Sequence, residues 1–387
     1  MSRFMTLMGF GAANDNLLKM ALVVAVSVGV FETYGLSPVI WANLAGLVFI
    51  VPFVLLATVA ATGSVDVSAR RRVMQLKSLE FVLSGIALLA LWFQSAPLLL
   101  LVVCGLGIQS ALLGPLKYAL LPQWVPVSGL SGTNACLQTI TFVAILVGTA
   151  LGSMGVLGWP LGLGLLCLLL AGMGWWLSSG LPSTIVTNDV PVVSMASLIR
   201  AIYGVPTHRA QIHLISGFWA IGSVWLAHLS LLISGVWMMD ASLVPGILTL
   251  FVLGVGMGSG IGILLQKQTI SSRVVTGASV LCLGGLLTAS GHPLGGLLGV
   301  WLTAAGGGFM VLPLYVAMQL EAGSVVNRIA ALNVFNALAM VGASIASMLF
   351  IAGMGMPLVL WLGCLAVLQL GLCLYHRRDL IFSKELG

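Results

Sequence analysis

Apolar runs of about 20 residues, each long enough to cross a bilayer as a helix, follow one another along almost the whole chain, and Lys and Arg gather only at alternate breaks between them. Little else can be built from such a pattern. In hydrocarbon every backbone N–H and C=O needs an internal partner, so each run becomes a helix. The predicted helices are 4–30, 38–62, 73–94, 97–121, 132–156, 159–180, 210–237, 242–266, 274–291, 293–319, 329–353 and 356–376. Turn chemistry marks the breaks, as at Ser37-Pro38, Ser95-Ala96-Pro97, Gly158-Trp159-Pro160, Gly291-His292-Pro293 and Gly355-Met356-Pro357. With a cytoplasmic N-terminus, every Lys and Arg except Lys19 and Lys117 falls on the cytoplasmic side, and the outside loops hold none. That asymmetry sets both helix count and orientation. The expectation is an all-α polytopic membrane protein of twelve transmembrane helices, with both termini cytoplasmic.

Composition excludes the other classes. The chain is 60% hydrophobic and 6% charged, against about 25% charged in soluble domains. The net charge of +6 does not point to nucleic acid, because the cations sit between apolar spans. Cys104, Cys136, Cys167, Cys282, Cys364 and Cys373 lie in apolar segments without a CxxC pair, so neither disulfide, metal nor cofactor is expected. No Ser nucleophile elbow, HExxH, Walker loop or His-x4-Asp occurs, and an enzyme is not expected. The first apolar run is too long, and too charged inside, for a cleavable signal peptide.

The longest connection, 182–209, contains a short segment, Val192–Tyr203, suited to the membrane surface. It divides the chain into two six-helix halves, 1–181 and 210–387. The halves echo each other faintly. Pro115-Leu116-Lys117-Tyr118 is matched by Pro313-Leu314-Tyr315, and Asn134 by Asn333 at nearly the same offset. Transporters built from two such repeats bind substrate near the midplane.

The candidate residues start in the first helix, in Gly11-Ala12-Ala13-Asn14-Asp15-Asn16-Leu17-Leu18-Lys19. Counted from Arg3 at the surface, Asp15 lies about 18 Å deep. A charge there costs roughly 2.5–3.5 kcal/mol even on lenient insertion scales. Asp15 and Lys19 are spaced to pair at i, i+4. Gly9, Gly11, Ala12 and Ala13 admit a close neighbour. The stretch reads as one wall of a polar cavity, or else as a buried ion pair that locks packing. Lys77 and Glu80 form an i, i+3 pair, with Lys77 placed to snorkel and Glu80 placed to face the cavity or the packing. Lys117, with Tyr118, stands beside Pro115, where an ammonium suits a phosphate, snorkelling being the other reading. Asn134 with Gln138, and Asn333 with Asn336, line the cavity or bridge helices. His228 reads as a packed neutral ring, and the glycines at 254–262 and 306–308 as close helix contacts. Between the second and third helices stands Gly63-Ser64-Val65-Asp66-Val67-Ser68-Ala69-Arg70-Arg71-Arg72. Asp66 is placed to cap a helix N-terminus or pair with Arg70 or Arg71, forming a gating latch. The alternative is that the arginines only anchor the loop to anionic lipid.

That loop resembles the signature of the major facilitator superfamily, with Thr62 and Ala69 where the family has Gly. Four further motifs resemble its lysophospholipid transporter group, especially the transporter halves of fused acyltransferase proteins. They are Gly11 to Lys19; Gly114-Pro115-Leu116-Lys117-Tyr118-Ala119-Leu120-Leu121-Pro122-Gln123; Gly307-Gly308-Phe309-Met310-Val311-Leu312-Pro313-Leu314-Tyr315; and Asn333-Val334-Phe335-Asn336-Ala337-Leu338. The resemblance implies inward flipping of lysophospholipids, notably lysophosphatidylethanolamine, across the bacterial inner membrane for reacylation. Its implied partners are the lysophospholipid, membrane lipids, a separate acyltransferase and a coupling cation. Two departures stand out. The family usually has Glu at Gln138, and its standalone members carry a further acid near Asn336. The acyltransferase and ligase domains of the fused relatives are also absent. Two other functions fit the same residues: a proton-coupled facilitator exporting a small amphipathic drug or metabolite through Asp15, and a non-transporting scaffold for a lipid acyltransferase.

Overall fold

The computed structural model describes residues 1–36, 38–63, 68–185, 194–240, 243–321 and 324–380. Asp66, Asp189 and Lys384 therefore lie outside the described residues. The helices are α1 Ser2–Ser27, α2 Pro38–Leu55, α3 Ala57–Gly63, α4 Ala69–Trp92, α5 Ala96–Trp124, α6 Val127–Gly158, α7 Pro160–Ser178, α8 Met195–Tyr203, α9 Pro206–Ser230, α10 Val244–Leu264, α11 Ile270–Ala289, α12 Pro293–Leu320, α13 Val325–Ser347 and α14 Leu358–Tyr375. Among the described residues, nine helices are long and apolar enough to cross a membrane. With α1, the α2–α3 pair and α9 they make the twelve expected segments. Helix α8 is the short segment expected at the membrane surface.

Five helix starts correct the sequence expectation in one direction. Helices predicted from 73, 132, 210, 274 and 329 start at Ala69, Val127, Pro206, Ile270 and Val325. Arg70, Arg71 and Arg72 thus belong to the first turn of α4 rather than to a loop, and Arg209 and Arg328 lie inside α9 and α13. Hydropathy marks where apolar side chains begin. Backbone hydrogen bonding continues about one turn further, because a charged side chain in that turn either reaches out of the bundle, as Arg70 and Arg71 do, or finds protein carbonyls, as Arg328 does. The segment predicted at 38–62 is two helices that meet at Leu56, and the first of them carries Pro52 inside it. By contrast α5 passes through Pro115 and Pro122, and α12 through Pro313, as continuous helices. Helices α9 and α13 end in π-helical turns, Leu231–Val236 and Met348–Gly353.

The chain forms two compact units. The first is Met1–Trp124 with Cys136–Met195, and the second is Val125–Ala135 with Ala196–Gly387. In the first unit α1 packs on α2, α5 and α7, and α4 on α5 and α7. Its core joins Leu17, Leu18, Leu22 and Val26 of α1 to Leu83, Leu91, Leu99, Leu106 and Cys167. Gly148 and Gly152 of α6 face the carbonyl oxygens of Ala13 and Leu17, so closely that any side chain there would collide. This small-residue contact replaces the hydrophobic drive that is missing between helices in lipid. A lone antiparallel bridge pairs Ser68 with Ile185, and Trp124 Nε1 donates to Thr184 Oγ1 at 2.7 Å. In the second unit α12 packs against α9, α10 and α11 and is the most deeply buried helix. Large apolar side chains such as Leu101, Leu165, Leu253 and Leu294 are exposed, as a lipid-facing surface requires.

Candidate functional site

The polar centre of α1 splits between two neighbours. Asn14 and Asp15 are buried, whereas Asn16 and Lys19 are half-buried. Asn14 faces α4: its Nδ2 donates to Ser84 Oγ at 2.9 Å and lies 3.5 Å from Glu80 Oε1. Asp15 faces α5, where Ser110 Oγ donates to its Oδ2 at 2.6 Å. The second oxygen, Asp15 Oδ1, is buried without a hydrogen-bond partner among the described residues. The expected Asp15–Lys19 ion pair is not made. Lys19 Nζ instead donates to Asn16 Oδ1 at 3.0 Å and sits 5.2 Å above the Phe49 ring. Asn16 offers an acceptor one residue nearer, and Phe49 offers a π face. Asp15 nonetheless lies in the field of Lys19, Lys77, Lys117 and Glu80.

Lys77 and Glu80 do pair, at 2.6 Å, with side chains 1% and 0% exposed. Snorkelling by Lys77 is therefore corrected, because its stem turns inward. A methyl group on Gly11 of α1 would stand 2.6 Å from the ammonium, so a side chain there would displace it. Gln109 Nε2 adds a hydrogen bond to Glu80 Oε2 at 3.3 Å. Glu80 is buried within this network. The pair is tied to Asp15 through Gln109, whose Oε1 lies 3.3 Å from the Ser110 hydroxyl.

Lys117 lies two turns beyond Ser110 on α5. It is half-buried, with Nζ 4.9 Å from the ring of buried Tyr118. The ion pairs found among the described residues are Lys77–Glu80, His208–Glu321 and His376–Asp379. Lys19 and Lys117 thus present two partly exposed ammonium groups without a carboxylate partner there.

The remaining candidates lie elsewhere. Asn134 and Gln319 of the second unit exchange two hydrogen bonds, at 2.7 and 3.1 Å. Gln138, one turn on in the first unit, is buried, and its Nε2 has no partner among the described residues. Asn336 accepts from Ser216 Oγ at 2.8 Å, and Asn333 is half-buried. His228 Nδ1 contacts the Val224 carbonyl at 2.9 Å. Arg70 and Arg71 are exposed, and the expected latch through Asp66 falls outside the described residues. Among the described residues, no group of three or more His, Cys, Asp or Glu could hold a metal ion.

Two polar assemblies of the second unit went unread in the sequence. One is a chain across three elements. Tyr203 OH meets His213 Nε2 at 2.7 Å, His213 Nδ1 meets His376 Nε2 at 2.9 Å, and His376 Nδ1 meets Asp379 Oδ2 at 2.9 Å. The other gathers His208 and Gln211 on Glu321, at 2.5 and 2.6 Å, while Arg328 donates to the carbonyls of Met318 and Glu321 at the end of α12. Only the His376/Asp379 spacing at i, i+3 signalled either in advance. Arg328 looked like a topology charge and turns out to cap a helix end.

The helix order can be compared with solved structures. The E. coli fucose:proton symporter FucP superposes with a TM-score of 0.76 at 11% identity, over 99% of this chain and 98% of that one. FucP has been solved as a major facilitator superfamily transporter in the outward conformation. This chain has the major facilitator fold. The same fold is shared with a bacterial homologue of the iron transporter ferroportin (TM-score 0.71, 14% identity, 99% of each chain). The human organic anion transporter MFSD10 shares it too (TM-score 0.72, 15% identity, 96% of this chain and 99% of that one). No known family model and no curated protein matches the sequence.

Proposed function

We propose that this major facilitator chain is a secondary transporter that moves lysophospholipids, such as lysophosphatidylethanolamine, inward across the bacterial inner membrane. The observation that carries this reading is Asp15, a buried carboxylate with one oxygen unclaimed among the described residues, in the electrostatic field of two half-buried ammonium groups that make no ion pair there. A zwitterionic headgroup matches that set: its ammonium meets Asp15, and its phosphate meets Lys117 or Lys19. The sequence motifs of the lysophospholipid transporter group support the same substrate. The acyl chain stays against lipid, because moving it into a wet cavity forfeits about 0.8 kcal/mol per methylene. Two six-helix bundles, 1–181 and 210–387, joined by 182–209 and with both termini cytoplasmic, rock about the site to alternate access. Asn16, Tyr118, Asn134, Gln138, Asn333 and Asn336 serve as polar lining or bridges. Asp66 with Arg70 and Arg71 gates the cytoplasmic side. A separate acyltransferase receives the lipid, and a coupling cation drives or accompanies transport.

The test is translocation of labelled lysolipids of different headgroups into proteoliposomes, with and without ion gradients. Lysophosphatidylethanolamine is expected to cross in a protein-dependent way, ahead of lysolipids without an ammonium. Equal rates with and without protein would reject the substrate assignment.

A second reading, a proton-coupled facilitator for a small amphipathic solute, draws support from two structural neighbours, a fucose:proton symporter and an organic anion transporter. Counterflow separates the two, since that protein exchanges small solutes and ignores lysolipids.

A further inference from the structure

Helices α4 and α7 pack side by side in the first unit, and their outer face changes character along its length. Near the start of α4 a recess is lined by Arg70, Arg71, Gln75, Ser78, Trp175 and Ser183. Along the same seam follows an apolar groove lined by Phe81, Leu165, Leu169, Gly172, Met173 and Trp176. Arg71, Gln75, Ser78 and Phe81 step along one stripe of α4 at helical spacing. On α7 the sequence positions run the opposite way, from Trp176 back to Leu165. From Arg71 to Phe81 the seam is about 15 Å long. Gly172 forms its notch: a side chain there would begin 3.2 Å from the Phe81 ring. Two adjacent tryptophans mark the change, Trp175 in the polar recess and Trp176, 65% exposed, in the apolar groove. Tryptophan favours that boundary between headgroups and tails.

We propose that this seam is a binding site for an anionic diacyl phospholipid, with the phosphate on Arg70 and Arg71 and one acyl chain in the groove. Charge complementarity selects the headgroup. Two exposed guanidinium groups line the recess, no carboxylate lines it among the described residues, and guanidinium binds phosphate bidentately. Ser78 and Ser183 add hydroxyls. The occupant is a lipid rather than a peptide, because α4 and α7 are both apolar enough to cross a membrane and their outer face meets hydrocarbon. The site is separate from the polar centre of the first unit. Lys77 and Glu80 leave α4 on its buried side, whereas the seam residues leave it on the exposed side. It shares Arg70 and Arg71 with the proposed cytoplasmic gate, and it holds a resident lipid whatever the substrate is.

Native mass spectrometry of the full-length protein tests this, after incubation with an equal mixture of phosphatidylglycerol and phosphatidylethanolamine of the same chain length. The wild type is expected to retain phosphatidylglycerol several-fold over phosphatidylethanolamine. The double substitution Arg70→Gln/Arg71→Gln should bring the two to parity, and Gly172→Leu should lower retention of both. Millimolar inorganic phosphate should not displace the lipid. Equal retention of both lipids by the wild type, a measurement that needs no variant, overturns the proposal. So does an unchanged preference after the arginine substitutions, unchanged retention in Gly172→Leu, or displacement by phosphate alone.

Discussion

Lys77 and Asp15 meet the same difficulty, a charge deep in a bundle, in opposite ways. Lys77 is sealed against Glu80 beneath Gly11, so its charge is spent within the fold. Asp15 has one oxygen satisfied by Ser110 and one left over. The first arrangement predicts a stability role. Lys77→Met should cost about 3–5 kcal/mol, the penalty for stranding a buried partner, seen as a much lower melting temperature in detergent. Adding Glu80→Leu should recover most of the loss; a double variant no more stable than the single one contradicts a simple pair. Lys117→Met should leave melting nearly unchanged and raise the KM for phosphate-bearing substrate. At this scale the sequence was half legible. The i, i+3 spacing announced Lys77 with Glu80. The Asp15–Lys19 spacing misled, because Ser110 and Phe49, distant in sequence, offer better-placed contacts. Spacing reports only partners on the same helix.

At the scale of elements, the amide pair Asn134–Gln319 and the chain from Tyr203 to Asp379 join segments far apart in sequence. A double-mutant cycle with Asn134→Ala and Gln319→Ala should give a coupling of about 0.6–1.7 kcal/mol, the range for polar contacts between membrane helices; zero coupling would sink the contact. Tyr203→Phe removes the link from α8 to His213. A net hydrogen bond is worth about 1 kcal/mol, so hydrogen exchange in α8 should accelerate about fivefold, and unchanged exchange speaks against docking through that hydroxyl. Helix number, type and breaking prolines were readable, since backbone satisfaction in hydrocarbon leaves no other structure. The starts at Ala69, Val127, Pro206, Ile270 and Val325 were not, because hydropathy is silent about a helical turn built from polar residues. The break at Leu56 was also hidden, inside an unbroken apolar run.

For the whole molecule, the cation asymmetry carries the orientation. Single cysteines at Leu36, Gln94 and His292, in a background without exposed Cys136, should react with an impermeant reagent from outside. Cysteines at Thr207 and Arg378 should react only after permeabilisation, and the reverse pattern would invert the topology. The fold itself was legible because twelve runs and one-sided charge admit few arrangements, and the FucP superposition agrees over 99% of the chain. The central claim concerns Asp15 and its passenger. Uptake of labelled lysophosphatidylethanolamine should be measured in proteoliposomes for wild type and Asp15→Asn, matched in melting temperature and insertion. Loss of uptake in the folded variant is the predicted result; undiminished uptake contradicts the account.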